Sequence, residues 1–353
     1  MNTDQANYLN IGLMILSCAI AIVLPFELFL FSYAIIGPLH YLTEISWLHK
    51  RQYFTPGKKD YLLLALLTLL IAAPNMLNYF YELWGPKDAD GKTIRTDEIS
   101  SFITIGQNLN PMFVFVSFSV AAVLIFVKDF YRRLVAVILI LIIGALIRTQ
   151  HFVSVIFAIF VPTLVHVFLF TGAFILVGAL KSKSRSGIIS LGVFITCAVC
   201  LFIINPNGTG YTVSEFAQKN YDKSFISVNK QIFDTFLHKV NANSYLIYHS
   251  PAGIMITRFI AYAYTYHYLN WFSKTSIIKW HKVPKSSLAI VAGIWILSII
   301  LYISNYETGL MALYFLSFLH VIFEFPLNIQ SFKQIGQEVR GRLKPARTAK
   351  VRA

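Results

Sequence analysis

The chain has 353 residues, 56% of them hydrophobic and only 13% charged, and its mean hydropathy is +0.62. An ordinary globular chain carries about 25% charge, so this composition excludes a soluble enzyme, a nucleic-acid binder and a disordered regulator. Lys and Arg number 30 against 16 Asp and Glu, a net charge of +14; among long apolar runs such a surplus marks cationic loops on one side of a bilayer.

Ten apolar segments approach the roughly 20 residues needed to cross hydrocarbon. They are expected to be helical, because lipid offers no water to open backbone groups. In chain order they run 9–24, 26–48, 60–82, 110–127, 133–149, 152–180, 187–204, 251–273, 286–304 and 308–331. Pro25 marks the turn between the first two, and only Arg148-Thr-Gln-His151 separates the fifth from the sixth. The polar stretches 83–109 and 205–250 are expected to form small folded or interfacial caps. No basic region precedes the first segment, which therefore reads as an uncleaved helix and not a signal peptide.

Cations recur in alternate loops, beginning with Lys50, Arg51, Lys58 and Lys59 and ending in the tail after Lys333. The positive-inside rule then puts both termini in the cytoplasm. The expected architecture is all-α, a polytopic transmembrane bundle of about ten spans in a membrane such as the bacterial inner membrane. Residues 1–332 would form one domain and 333–353 a basic tail near anionic lipid. Cys18, Cys197 and Cys200 all lie in apolar runs and make no disulfide framework; Cys197-x-x-Cys200 reads as small core residues.

Polar atoms inside the spans carry the functional signal. His49, His151, His238, His249 and His281 fall in loops or at interfaces. His40, His166, His267 and His320 lie within the second, sixth, eighth and tenth segments, one to a helix. An ionisable residue in hydrocarbon is costly and usually faces the bundle interior at a site. Two of the four carry a carboxylate one turn on, in His40-Tyr-Leu-Thr-Glu44 and His320-Val-Ile-Phe-Glu324. Positions i and i+4 share a helix face, so Glu44 and Glu324 are expected to point where their own histidines point. Each is then a ligand beside its His, or an acceptor that fixes the imidazole tautomer.

Asn270 and Tyr264 stand three residues either side of His267, placed to hydrogen-bond a ligand or substrate; Thr163 and Ser317 precede His166 and His320 by three. The Tyr262, Tyr264, Tyr266, Tyr268 series with Trp271 reads first as interfacial belt and packing, and second as the lining of a tunnel. Arg258 is expected to snorkel outward or to hold an anionic head group. Imidazole and carboxylate without thiolate suit iron, copper or zinc. A site reached by lipophilic molecules and dioxygen favours non-haem iron, one ion or two.

Gly37-Pro-Leu-His40-Tyr-Leu-Thr-Glu44, Thr163-Leu-Val-His166, Tyr266-His267-Tyr-Leu-Asn270 and Leu319-His320-Val-Ile-Phe-Glu324 together resemble, in order, motifs of the Brp/Blh family of membrane carotene-cleaving dioxygenases. The resemblance covers these four stretches. It departs from the family in lacking a glycine after His40, in carrying Glu for Asp, in having no acid after His166, and in lacking the basic His-rich motif. It implies a non-haem iron held by intramembrane histidines, and a polyene as substrate.

The reading is a membrane metal-dependent oxidoreductase. His40, His166, His267 and His320 would bind the metal with Glu44 and Glu324, and Asn270 and Tyr264 would lie beside the substrate. Its partners would be dioxygen, a lipophilic small molecule and the lipid bilayer, with no nucleic acid. The rivals are a proton-coupled transporter using His and Glu as a relay, a haem protein with two axial histidines, and a structural scaffold.

Overall fold

The computed structural model describes residues 2–206, 210–238, 242–274, 279 and 282–343. His281 and the end of the tail, 344–353, lie outside them. Apart from one isolated bridge between Lys87 and Thr93, the regular structure among the described residues is helical.

In chain order the elements are α1 (Thr3–Val23), α2 (Pro25–His49), α3 (Asp60–Trp84), α4 (Asp97–Phe126), α5 (Phe130–Ile147), α6 (151–182) and α7 (Arg185–Ile203). Three short helices follow, α8 (Glu215–Ser224), α9 (Ile226–Leu237) and α10 (Ser244–His249), then α11 (Pro251–Ser273), α12 (Lys285–Ser304) and α13 (Tyr306–Leu343).

Nine helices among the described residues are long and apolar enough to cross a membrane: α1 to α7, α12 and α13. Their solvent pattern inverts that of a soluble protein. On α5 only Gly144 is buried, and on α12 only Ser298 and Tyr302, while Ile138, Ile142, Ile296 and Ile300 face outward. Apolar rows of that extent exposed to water would be an aggregation liability; against lipid they are the matched surface. This is the pattern of a multi-pass membrane protein.

α11 is the exception in composition, and its position explains why. It packs against α1, α2, α6 and α7 and is buried over most of its length. A helix enclosed by other helices needs no lipid-compatible face and can carry tyrosines, Arg258, His267 and Asn270. The interfacial-belt expectation therefore fails, since Tyr262, Tyr264, Tyr266, Tyr268 and Trp271 are all buried. Tyr262 donates to the Phe194 carbonyl at 3.1 Å and Tyr266 to Asn10 Oδ1 at 3.1 Å, fastening α11 to α7 and α1. Arg258 does not snorkel: it is 0% exposed, and its Nη1 donates to the Ile204 carbonyl at 2.8 Å.

Two boundaries differ from the sequence reading, while the 205–250 stretch forms the small folded cap expected of it. α4 begins at Asp97, not near 110, because the Thr96 side chain caps it and Asp97 and Glu98 lie favourably against its N-terminal dipole. α13 does not stop near Phe332. With no proline between Pro326 and Leu343 it runs on as a helix, and Arg342 donates to the Leu180 carbonyl at 2.9 Å, so residues 333–343 are a helical extension and not a loose tail. The 205–250 stretch folds into α8, α9 and α10, tied down where Glu27 of α2 accepts from Tyr211 Oη and Ser214 Oγ, both at 2.7 Å.

Two helices depart from α geometry where the site lies. Ser32–Ile36 in α2 and Ile156–Phe170 in α6 are π-helical, the first closed by Gly37 N–H on the Ser32 carbonyl. Pro38 and Pro162 lack the N–H that an α-helical turn would use, and widened turns of this kind recur at functional sites.

Candidate metal centre

His40 of α2, His166 of α6, His267 of α11 and His320 of α13 converge. All four are buried, exposed by 5% or less, as are Glu44 and Glu324 at 2%. Ring centroids close a circuit: His40 to His267 4.8 Å, His267 to His166 4.8 Å, His166 to His320 5.2 Å and His320 to His40 5.5 Å. Imidazoles that each bring a nitrogen to about 2.1 Å from one ion have centroids about 5 Å apart, so the spacing suits a shared cation. The ligand atoms of His40, His267 and His320 lie within 4.8 Å of one another, and so do those of His166, His267 and Glu324.

The hydrogen-bond pattern points the same way. Among the described residues, both nitrogens of His40 and of His166, Nε2 of His267, Nδ1 of His320, and Oε2 of both Glu44 and Glu324 are buried with no hydrogen-bond partner. Each such atom left unsatisfied costs about 1–3 kcal/mol. Glu44 Oε2 stands 3.1 Å from His40 Nε2, and Glu324 Oε2 3.4 Å from His166 Nδ1, yet neither approach has hydrogen-bond alignment. Lone pairs gathered at such distances without shared protons are what a cation site requires.

The pairing is not wholly the one that sequence spacing implies. Glu44 does lie beside His40, its partner one turn back. Glu324 approaches His166 of another helix, which supplies the acid missing downstream of His166. The i,i+4 rule places Glu324 on the face of His320, but that face looks into a crowded centre where the imidazole of α6 is the ion-pairing neighbour.

Further residues set the orientation of the imidazoles. Thr171 Oγ1 lies 2.8 Å from His267 Nδ1, leaving Nε2 as the nitrogen that faces both ligand sets. In the tautomer whose Nδ1–H donates to the hydroxyl, Nε2 carries the lone pair. The two candidate ligand sets share His267. Trp271 Nε1 donates to Thr43 Oγ1 at 3.0 Å, locking the α2 turn between His40 and Glu44 against α11. Gly37 allows that approach: a Cβ there would stand 3.3 Å from the Tyr268 ring, whose centroid is 5.0 Å from that of His40.

Lys274, one residue beyond α11, is pushed down to about 8 by burial, against the opposing pull of Glu324 and Glu44. Its place two turns on from His267 was legible as a shared face. Thr171 was not, because the widened winding of α6 changes which residues share a face. Asn328, one turn past Glu324, is 1% exposed with both side-chain polar atoms unpartnered among the described residues, extending the buried polar row of α13.

A cavity of about 310 Å³ opens beside the imidazoles. His166 and His320 form one wall; Tyr33, Tyr264, Tyr268 and Phe225 supply much of the rest, with Thr163 and Ser317. Tyr264 thus faces the cavity, its ring edge-on to Phe29 at 5.2 Å. Asn270 is buried but does not line the cavity; its carbonyl accepts from Ser273 Oγ at 2.8 Å. Tyr33 Oη and Ser317 Oγ are 3.2 Å apart at the cavity edge.

No protein-family model, curated protein or solved structure matches the chain.

Proposed function

We propose that this chain is an integral-membrane, metal-dependent oxidoreductase in which His40, His166, His267 and His320 hold one non-haem iron. Glu324 and Glu44 serve as ligands or orienters, and the cavity beside His166 and His320 takes a lipophilic substrate. The observation that carries this reading is the closed circuit of four buried imidazoles, each with a nitrogen that has no hydrogen-bond partner among the described residues. Imidazole and carboxylate donors without thiolate, beside an open cavity, favour iron among the metals they accept, and that metal when bound would supply dioxygen chemistry.

The chain's own residues do the positioning. Thr171 holds the tautomer of His267, and Trp271 with Thr43 holds the turn that carries His40 and Glu44. Aromatic walls exclude water, while the hydroxyls of Tyr264, Tyr33 and Ser317 offer the few polar contacts that orient an otherwise apolar guest. The Brp/Blh resemblance makes a polyene one member of that substrate class. The alternating cations favour cytoplasmic termini in a bacterial inner membrane, with α11 joining the nine long apolar helices to make ten spans.

The rivals are less well supported. A proton relay needs hydrogen-bonded His–Glu contacts, and these lack the alignment. Two axial haem ligands need a flat slot between them, whereas these rings pack edge to face.

Elemental analysis of the purified chain, alongside its absorption spectrum, tests the proposal. About one iron per chain without a Soret band is expected, lost in His40→Ala and His320→Ala. Full turnover by metal-free protein, or solute flux in metal-free proteoliposomes, would overturn it.

A further inference from the structure

A second cavity, of about 180 Å³, lies where α2 ends and α12 begins, and no histidine is among its described lining residues. Lys50, Arg51, Lys279 and Lys282 line it with the hydroxyl side chains of Ser46 and Ser287, and no carboxylate is among its described lining residues. Four like charges around one concavity repel each other, a cost that a bound anion removes.

Two observations indicate more than a solvated basic rim. Arg51 is held in place, its guanidinium 3.8 Å over the Trp47 ring and its Nη1 3.3 Å from the Trp47 carbonyl. The Trp47 side chain is among those lining the cavity, and its indole nitrogen is shielded from solvent with no hydrogen-bond partner among the described residues. Indole N–H, ammonium and guanidinium groups only donate. The complementary guest is therefore an anion with several acceptor oxygens.

The remaining wall states what that anion is attached to. Thr43, Val283, Leu288 and Val291 complete the cavity, and α12 continues from it with Ile290, Ile294 and Leu297 on its outward face. A phosphate seated among the cations would have its apolar substituent laid along that face. We propose that this pocket binds the phosphate of an anionic amphiphile, a phospholipid headgroup with its acyl chains against α12. The inference is independent of the metal reading.

The test uses the full chain in neutral detergent and native mass spectrometry, with phosphatidylglycerol, phosphatidylcholine and inorganic phosphate as separate probes. One phosphatidylglycerol should bind in preference to phosphatidylcholine. Lys282→Gln and Lys50→Gln should each weaken it roughly fivefold, the worth of one cation near an anionic lipid. Lys282→Arg should retain it, which separates lost charge from misfolding, and Trp47→Phe should weaken it through the lost donor. Displacement by inorganic phosphate, with no preference between the lipids, would assign the same site to free phosphate. Binding of phosphatidylglycerol that is unselective, or indifferent to Lys282→Gln, Lys50→Gln and Trp47→Phe alike, overturns the proposal.

Discussion

His166 on α6 and Glu324 on α13 bring Nδ1 and Oε2 to 3.4 Å, so the carboxylate one turn after His320 serves the histidine of another helix. The centre is thereby stitched across the bundle and does not consist of two self-contained His–Glu helices. Glu324→Gln should lower metal affinity by about 10–100-fold, the usual cost of losing a ligand-side carboxylate. Competition with a chromophoric chelator measures it; affinity equal to the parent chain would remove Glu324 from the centre.

Because the candidate ligands come from four helices, metal binding should stabilise the fold. A ligand that binds only the native state at 100 times its dissociation constant adds about 2.7 kcal/mol. Adding ferrous iron anaerobically should raise the melting temperature of the parent chain and leave that of His267→Ala unchanged. Equal shifts in both would place the metal elsewhere.

Thr171 tests the tautomer argument. Thr171→Val removes the oxygen 2.8 Å from His267 Nδ1 while keeping the shape, and metal affinity should fall about tenfold. Thr171→Ser should restore it. Unchanged affinity in the valine variant would mean that the hydroxyl does not set the ring.

The cavity can be filled without touching a candidate ligand. Thr163→Phe places a ring into its 310 Å³. Turnover of a lipophilic substrate should fall while iron content stays at the parent level, as elemental analysis and product assay on one sample would read. Parallel loss of iron would instead indicate that the substitution disturbs His166.

Arg258 anchors the far end of α11. Arg258→Met keeps much of the bulk but leaves the Ile204 carbonyl without that donor, a loss of about 1–3 kcal/mol. Thermal unfolding in detergent should register it, with iron per folded molecule unaltered. A stability equal to the parent would show that the buried guanidinium is dispensable.

Membrane character, helical class and the four histidines were legible from residue order alone. Hydrocarbon imposes one local rule on every apolar run, and a histidine inside such a run stands out against it. Chain order carried less where the outcome depended on partners. The alternating tyrosines of α11 look like an interfacial belt until α1, α2, α6 and α7 are seen to enclose them. Arg258 looks exposed until the Ile204 carbonyl is found beside it, and the basic stretch after Phe332 looks like a tail until Arg342 is seen on the Leu180 carbonyl.

Sequence by itself thus determined which side chains could serve a buried cation, since residue type and hydropathy are properties of single positions and short windows. Tertiary structure decided which of them meet: Glu324 with His166, Thr171 with His267, Trp271 with Thr43. Those pairings depend on the rotation and winding of whole helices, which π-helical turns in α2 and α6 shift away from the i,i+4 geometry that spacing assumes.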